Sequence, residues 1–185
     1  MSETKNPLNV AILAVDGFEQ VELVDPRQAI RNAGGRAVIV SAAKGTIQGM
    51  NHDEKGDSFE VDLTFTEAEA ELDKFDAVVL PGGVVNADEI RMHPKAQAIV
   101  KGFAAAGKPI AVICHGAWLL ISAGLVKGRQ ITSFPSLKDD LVNAGARWTD
   151  AEVVEDGNLI SSRKPDDLPA FNKALLKQLG QLGGT

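Results

Sequence analysis

The sequence has 185 residues, 44% of them hydrophobic and 24% charged, and a formal net charge of −6. This composition is typical of a folded protein with a sizeable core, and an acidic chain without a basic cluster argues against a nucleic-acid partner. No apolar run approaches the roughly 20 residues needed to cross a bilayer, and the polar start "MSETKNPLN" lacks the apolar core of a signal peptide. A single cysteine cannot form an internal disulfide, so we predict one cytoplasmic domain, residues 1–185, with no membrane partner.

Short apolar runs alternate with segments of helical character along the chain. Four runs are too short for helices and are predicted as buried strands, at 8–15, 36–42, 76–80 and 108–114. Helices are predicted at 25–32, with Pro26 in the first turn, and at 66–75, 93–107, 116–124, 136–145 and 165–182. Two other segments are predicted as hairpins, at 44–65 near a sheet edge and at 151–162. The alternation predicts an α/β fold with a mainly parallel sheet and helices on both faces.

Unusual residues follow three of the predicted strands. The first strand is followed by "DGFEQVEL" (16–23), the third by "PGG" (81–83) and the fourth by "CHG" (114–116). Ligands of open α/β sheets bind beyond the carboxyl ends of the strands. If these strands are neighbours, the three loops converge on one site.

The strongest of the three signals is Cys114, where a buried strand turns directly into a helix. This is the geometry of a nucleophile elbow, and a helix N-terminus is expected to favour the thiolate. A buried, inert cysteine is the ordinary alternative, but the series of strand, Cys-His-Gly and helix favours a reactive thiol. His115 is the candidate base, although adjacent residues on an elbow need not face each other. His52 and His93 lie in no recognisable motif.

The other two loops offer an acid and backbone donors. Glu19 and Glu22 are three residues apart, so they lie on similar faces of a helical turn. A glutamate beside a thiol could act as an acid or base, or could stay protonated and donate a hydrogen bond to a sulfur oxyanion. Compensation of a helix dipole explains the same two residues without any catalytic role. The N–H groups of Gly83 and His115 are candidates for an oxyanion hole, with a plain turn as the alternative for "PGG".

Five longer segments together resemble one known family. They are "FEQVEL" (18–23), "VVLPGG" (78–83), "ICHGAWLLISAGLVKGR" (113–129), "SFPSLKDDLVNAGARWTDAEVVEDGNLISSR" (133–163) and "PDDLPAF" (165–171). They are similar to the PfpI-type intracellular protease family, which belongs to the class I glutamine amidotransferase-like superfamily with the parkinsonism-associated deglycase. The resemblance extends over residues 8–178 and implies a flavodoxin-like α/β sandwich with its cysteine on a strained nucleophile elbow.

The resemblance also implies roles for individual residues. Cys114 resembles the nucleophile, His115 its partner, Glu22 the carboxyl that contacts the sulfur, and Gly83 the oxyanion-hole glycine. Asp88 falls where the family places an acid that reaches the histidine of a neighbouring subunit, which implies a homodimer or a larger assembly. One extra residue in "PGGVVNADEIR" leaves Glu89 as the alternative, and "TSFP" has phenylalanine where many relatives have tyrosine.

Two functional hypotheses remain. In the first, the protein is a cysteine-dependent hydrolase of stress defence that acts on small carbonyl compounds or on peptides, since the family includes both protease and deglycase or glyoxalase members. The sequence shows no long insertion near the site, which favours small carbonyl compounds. In the second, the protein is a non-catalytic sensor of oxidative stress or a chaperone-like protein, with Cys114 as a redox switch. Neither hypothesis predicts a cofactor or a metal.

Overall fold

Strands and helices alternate through the computed structural model, which describes residues 6–180. The strands are β1 (Asn9–Leu13), β2 (Phe18–Glu19), β3 (Arg36–Ser41), β4 (Thr46–Asn51), β5 (Glu54–Glu60), β6 (Leu63–Thr64), β7 (Ala77–Leu80), β8 (Ile110–Ile113), β9 (Gln130–Ile131), β10 (Arg147–Trp148), β11 (Val154–Asp156) and β12 (Leu159–Ser162). The α-helices are α1 (Gln20–Asn32), α2 (Phe65–Ala70), α3 (Val84–Ile90), α4 (Pro94–Ala105), α5 (Ala117–Ser122), α6 (Lys138–Asn143) and α7 (Leu168–Gln178). Within residues 6–180, no helix is both long and apolar enough to cross a membrane.

The main sheet has seven strands in the order β11-β12-β8-β7-β1-β3-β6. All of its pairings are parallel except the one between β11 and β12, which form the predicted C-terminal hairpin. The first, third and fourth predicted strands are β1, β7 and β8, and they are neighbours in this order. Their carboxyl ends therefore meet at one edge of the sheet, as the sequence predicted.

Both faces of the sheet are covered, which explains why its strands are continuous apolar runs. In β1, Ala11 and Leu13 pack on one side with residues of α2, α4 and α5, whereas Val10 and Ile12 pack on the other with residues of α1 and α7. The predicted fold class, a flavodoxin-like α/β sandwich with a mainly parallel sheet and helices on both faces, is confirmed.

Two local predictions differ from the structure. Helix α1 begins at Gln20 rather than at residue 25, so Pro26 lies inside the helix and not in its first turn. The helix continues past this proline because Leu23, Pro26 and Ile30 are all buried on one helical face, and packing outweighs the missing N–H. The last helix, predicted to end at 182, ends at Gln178, and residues 181 and 182 lie outside the described part of the chain.

The predicted hairpin at 44–65 forms β4 and β5, but these strands pair with β2 in a separate three-stranded sheet and not with the edge of the main sheet. Gln20, at the start of α1, anchors the hairpin. Its side-chain oxygen accepts from the Asp57 N–H at 2.7 Å, and its side-chain nitrogen donates to the Asp57 carboxylate at 2.9 Å. The hairpin tip is thereby fixed beside the carboxyl end of β1.

Candidate active site

Cys114 lies on a sharp turn between β8 and α5. Its φ is +63°, in the left-handed region that side chains other than glycine rarely adopt. The turn runs through a 3-10 helix, Cys114–Gly116, and presses against the end of β7. A Cβ atom at Gly116 would lie 2.8 Å from the Leu80 carbonyl oxygen, so no side chain fits there. The strained nucleophile elbow implied by the resemblance is present.

The thiol and the imidazole of the two adjacent residues face each other. Cys114 Sγ lies 3.1 Å from His115 Nδ1, and both residues are 8% exposed. The sequence did not decide whether these two adjacent side chains face each other. In the structure they do, because the left-handed turn at the elbow directs both to the same side. Burial lowers the pKa of His115, so its imidazole is neutral at neutral pH and able to accept a proton.

Three further side chains hold the imidazole ring. The ring of Phe134 stacks on it at 4.7 Å between centroids, and Trp118 meets it edge-on at 5.4 Å. Ser136 Oγ lies 3.4 Å from Nε2. The sequence noted Phe134 only as a missing phenol and gave Trp118 and Ser136 no role, because neither forms a motif with the Cys-His pair.

Glu22 is fully buried in the first turn of α1. Its Oε1 accepts a hydrogen bond from the Gly82 N–H at 3.0 Å, whereas Oε2 has no hydrogen-bond partner among the described residues. Burial, followed by the nearby charge of Glu19, raises the pKa of Glu22 to about 8, and its carboxyl also contacts the Cys114 thiol. Glu22 therefore carries a proton at neutral pH.

Burial of the thiol opposes the predicted formation of a thiolate. Burial raises the pKa of the Cys114 thiol, and the charge of Glu22 adds to this once that carboxyl has lost its proton; the N–H groups of His115 and Gly83 offset the increase only in part. Helix α5 has six residues and begins only after the 3-10 turn, so its dipole is too short to reverse the effect of burial. His115 is the candidate base within reach of the sulfur.

The "PGG" turn approaches both neighbouring loops closely. Gly83 has a φ of +86°, and a Cβ atom there would lie 2.4 Å from the Gly17 carbonyl oxygen. Asn86, which the sequence did not single out, is buried and braces this turn. Its Oδ1 accepts from the Val15 N–H at 2.8 Å, and its Nδ2 donates to the carbonyl of Gly82 at 3.0 Å. The N–H groups of Gly83 and His115 are thus held close to the sulfur.

A cavity of about 400 Å³ opens beside these groups. Its apolar lining comes from Met50, Val84, Val85, Phe134 and Pro165, and its polar lining includes Glu19, Glu22, His52, Asp53, Cys114 and His115. The sequence gave no sign that His52 belongs here. The separate sheet brings it in, and the Glu19 carboxylate accepts its backbone N–H at 3.3 Å. Within residues 6–180, no group of three or more His, Cys, Asp or Glu side chains could hold a metal ion.

Asp88 and Glu89 lie on helix α3, which follows the "PGG" turn. Both are exposed, and among the described residues neither side chain takes part in a hydrogen bond or an ion pair. The structure therefore brings Cys114, His115, Glu22 and Gly83 together, but it leaves Asp88 and Glu89 outside this group within one chain.

Comparisons with known proteins identify the family to which the chain belongs. The model of the DJ-1/PfpI family matches residues 8–178. A deglycase of Thermococcus kodakarensis is 47% identical over 173 residues, which cover 93% of this chain and 99% of that protein. The protein/nucleic acid deglycase 2 of Escherichia coli is 38% identical over 174 residues, which cover 92% of this chain and 97% of that protein. A two-domain protein of Anabaena variabilis, with DJ-1/ThiJ/PfpI-like and ferritin-like domains, has a crystal structure that is similar with a TM-score of 0.89 and 37% sequence identity. The similar region covers 95% of this chain and 49% of the Anabaena chain.

Proposed function

Because the chain belongs to the DJ-1/PfpI family, we propose that it is a cysteine-dependent deglycase, which acts on small dicarbonyls such as methylglyoxal and on their early adducts with proteins. Two of its relatives, 47% and 38% identical, are themselves named deglycases. We place the activity in the cytoplasm, where the single cysteine stays reduced and available for reaction.

The observation that carries this proposal is the contact of 3.1 Å between Cys114 Sγ and His115 Nδ1 beside a cavity of about 400 Å³. That volume suits a small molecule or one modified side chain. A protease would need a groove for several residues of extended peptide, so the size of the cavity favours the carbonyl substrates over the peptide alternative.

The chemistry begins with addition of the thiol to a carbonyl group. His115 Nδ1 takes the thiol proton while the sulfur bonds to the carbonyl carbon, and the C=O electron pair moves to the oxygen. The N–H groups of Gly83 and His115 stabilise the developing oxyanion, and the protonated Glu22 is the nearby proton donor. Methylglyoxal plus water has the atoms and the oxidation level of lactate, so the overall reaction needs no redox cofactor.

We further propose that the site is completed by a second copy of the chain, with the partner's Asp88 orienting His115 and Glu89 as the alternative. Helix α3 supports this proposal because it is exposed and because Val84 and Val85, at its start, are 53% and 61% exposed. Apolar side chains so exposed beside a cavity are typical of a surface that another subunit covers. The assembly is then a homodimer or larger.

The proposed function is tested by turnover. Methylglyoxal loss and lactate formation are followed with the wild type and with Cys114→Ser, which is expected to lose about a thousandfold or more of kcat. Glu152→Gln, which changes an exposed carboxylate outside α3 and the cavity, serves as a folded control in the Cys114→Ser comparison. Turnover that persists in Cys114→Ser would overturn the proposal.

One observation favours the redox alternative. The protonated Glu22 carboxyl contacts the thiol, and its Oε2 has no hydrogen-bond partner among the described residues; a carboxyl in this state can donate to an oxygen of an oxidised cysteine. The same experiment separates the two functions: peroxide that adds oxygen to Cys114 without any carbonyl turnover by the reduced protein would establish the sensor.

A further inference from the structure

Both ring nitrogens of His115 have a polar neighbour within the same chain. Nδ1 lies 3.1 Å from Cys114 Sγ, and Nε2 lies 3.4 Å from Ser136 Oγ. A neutral imidazole carries one proton, so Nδ1 can accept the thiol proton only if the ring proton is on Nε2. That Nε2–H then needs an acceptor, and among the described residues Ser136 Oγ is the one within hydrogen-bonding distance.

We propose that Ser136 is a positioning residue for His115: its hydroxyl oxygen accepts the Nε2–H and so selects the tautomer whose Nδ1 is free to take the thiol proton. The inference rests on the proposed function, because the tautomer matters for turnover only if His115 is the base. In the shared-site proposal the partner's Asp88 acts on the same ring nitrogen, so the inference concerns the acceptor that the chain itself supplies, and it is tested with that carboxylate removed.

The segment that carries Ser136 is tied to the elbow. The N–H of Phe134 donates to the Cys114 carbonyl at 3.2 Å, and the N–H of Leu137 donates to the Phe134 carbonyl at 3.0 Å. Leu137 is fully buried, and the ring of Phe134 stacks on His115. These contacts join the short 3-10 helix Pro135–Leu137 to the cysteine itself, so the hydroxyl keeps its place beside Nε2.

The proton transfer leaves the contact between Nε2 and Ser136 intact. When the sulfur loses its proton, Nδ1 gains it, and the ring becomes an imidazolium that still donates from Nε2 to Oγ. A hydrogen bond from a charged donor is stronger than one from a neutral donor. Ser136 therefore stabilises the imidazolium more than the imidazole, and removing the hydroxyl is expected to lower the pKa of His115.

Other charged groups around His115 are unchanged by a substitution at Ser136. Asp140 accepts from Trp118 Nε1 at 3.1 Å and Arg91 lies over the ring of Trp118, so both act on His115 through that ring. Asp88 and Glu89 are on α3, which packs against the elbow. The remaining titratable groups line the cavity with His115, namely Cys114, Glu19, Glu22, His52 and Asp53. The difference between the wild type and a variant at Ser136 thus isolates the hydroxyl.

The test is an NMR titration of the imidazole nitrogens in the full-length protein, with Asp88→Ala and Glu89→Gln present throughout so that no partner carboxylate on α3 can take the Nε2–H. The chain has only three histidines, so His115 is assigned by comparison with His115→Asn. We expect the chain with Ser136 and its Ser136→Thr variant to hold the Nε2–H tautomer, and Ser136→Ala to show a mixture of tautomers with a lowered pKa of His115. We expect kcat to fall about three- to tenfold in Ser136→Ala with KM unchanged, as for one lost hydrogen bond. Ser58→Ala, which removes an exposed hydroxyl from β5, is the matched control.

An unchanged tautomer and an unchanged pKa of His115 in Ser136→Ala would overturn the inference, even if turnover fell. Loss of the Nε2–H tautomer in Ser136→Thr would overturn it as well. The NMR result stands apart from turnover. If Cys114→Ser kept full activity, the proposed function would fail while the assignment of Ser136 to the Nε2–H would still be decided by the titration.

Discussion

Glu22 and Cys114 are two ionisable side chains that contact each other in the interior of the protein. Burial raises the pKa of each group, and a carboxylate next to a thiolate would add repulsion between like charges. Burial thus opposes ionisation of both groups, and in the proposed function His115, at 3.1 Å, removes the proton from sulfur. The sequence predicted that these side chains lie together, as they do in the structure, but it gave no sign that the thiol is buried, because burial is a property of the fold and not of the motif.

At the scale of single residues, Glu22→Gln is expected to remove a pH dependence of the free energy of unfolding. The pKa of Glu22 is raised from 4.5 in an unfolded chain to about 8, so the folded state keeps a proton that the unfolded state releases. The resulting stabilisation of the folded state is complete below pH 4.5 and is lost as the pH rises through 8. Over this range the free energy of unfolding falls by about 3–5 kcal/mol. Urea unfolding at pH 5 and pH 9 measures this change.

The variant should lose less stability than the wild type between the two pH values. Glu152→Gln, which neutralises an exposed carboxylate outside α3, should behave as the wild type does. Parallel losses in Glu22→Gln and the wild type would show that Glu22 is ionised in the folded protein at both pH values.

Among the secondary-structure elements, the β4–β5 hairpin shows what the sequence could and could not predict. Buried strands such as β1 and β8 were predictable because both of their faces are covered and their residues are continuously apolar. The hairpin was also predicted, but not its position beside the cavity, because that position depends on contacts distant in the sequence. Gln20 and Asp57 are 37 residues apart, and no local sequence pattern predicts the hydrogen bonds between them.

Gln20→Ala is therefore expected to loosen the hairpin without disturbing the main sheet. The change removes two hydrogen bonds to Asp57, worth together about 1–3 kcal/mol. Hydrogen exchange should accelerate in β4 and β5 and stay unchanged in β8, and KM should rise because His52 and Met50 line the cavity. Gln28→Ala, on the solvent-exposed part of the same helix, is the control. Equal exchange rates in both variants would show that Gln20 does not anchor the hairpin.

At the scale of the whole molecule, the shared-site proposal makes activity depend on assembly. Asp88 is exposed and has no hydrogen-bond or ion-pair partner in the described part of its own chain, so its proposed role requires a second copy. A closed dimer places the same surface of both chains in contact, and each dimer then contains two sites built from both subunits.

Mixing Cys114→Ser with Asp88→Ala protomers should restore about a quarter of the wild-type activity. Half of randomly mixed dimers are heterodimers, and each has one site with both groups intact. Activity is measured after the protomers are mixed under conditions that allow exchange. The control mixes Cys114→Ser with His115→Ala, where every site lacks one group of the Cys-His pair. No gain on mixing, or an active monomer at micromolar concentration, would rule out the shared site.

The left-handed backbone conformation of Cys114 lowers the stability of the folded chain. A left-handed conformation at a residue other than glycine carries a penalty of about 1–2 kcal/mol, and Cys114 holds that conformation at φ +63°. Glycine would relieve the strain at this position while deleting the nucleophile. Selection for folding alone would thus favour loss of the cysteine, and under the proposed function its presence at the elbow exchanges stability for reactivity.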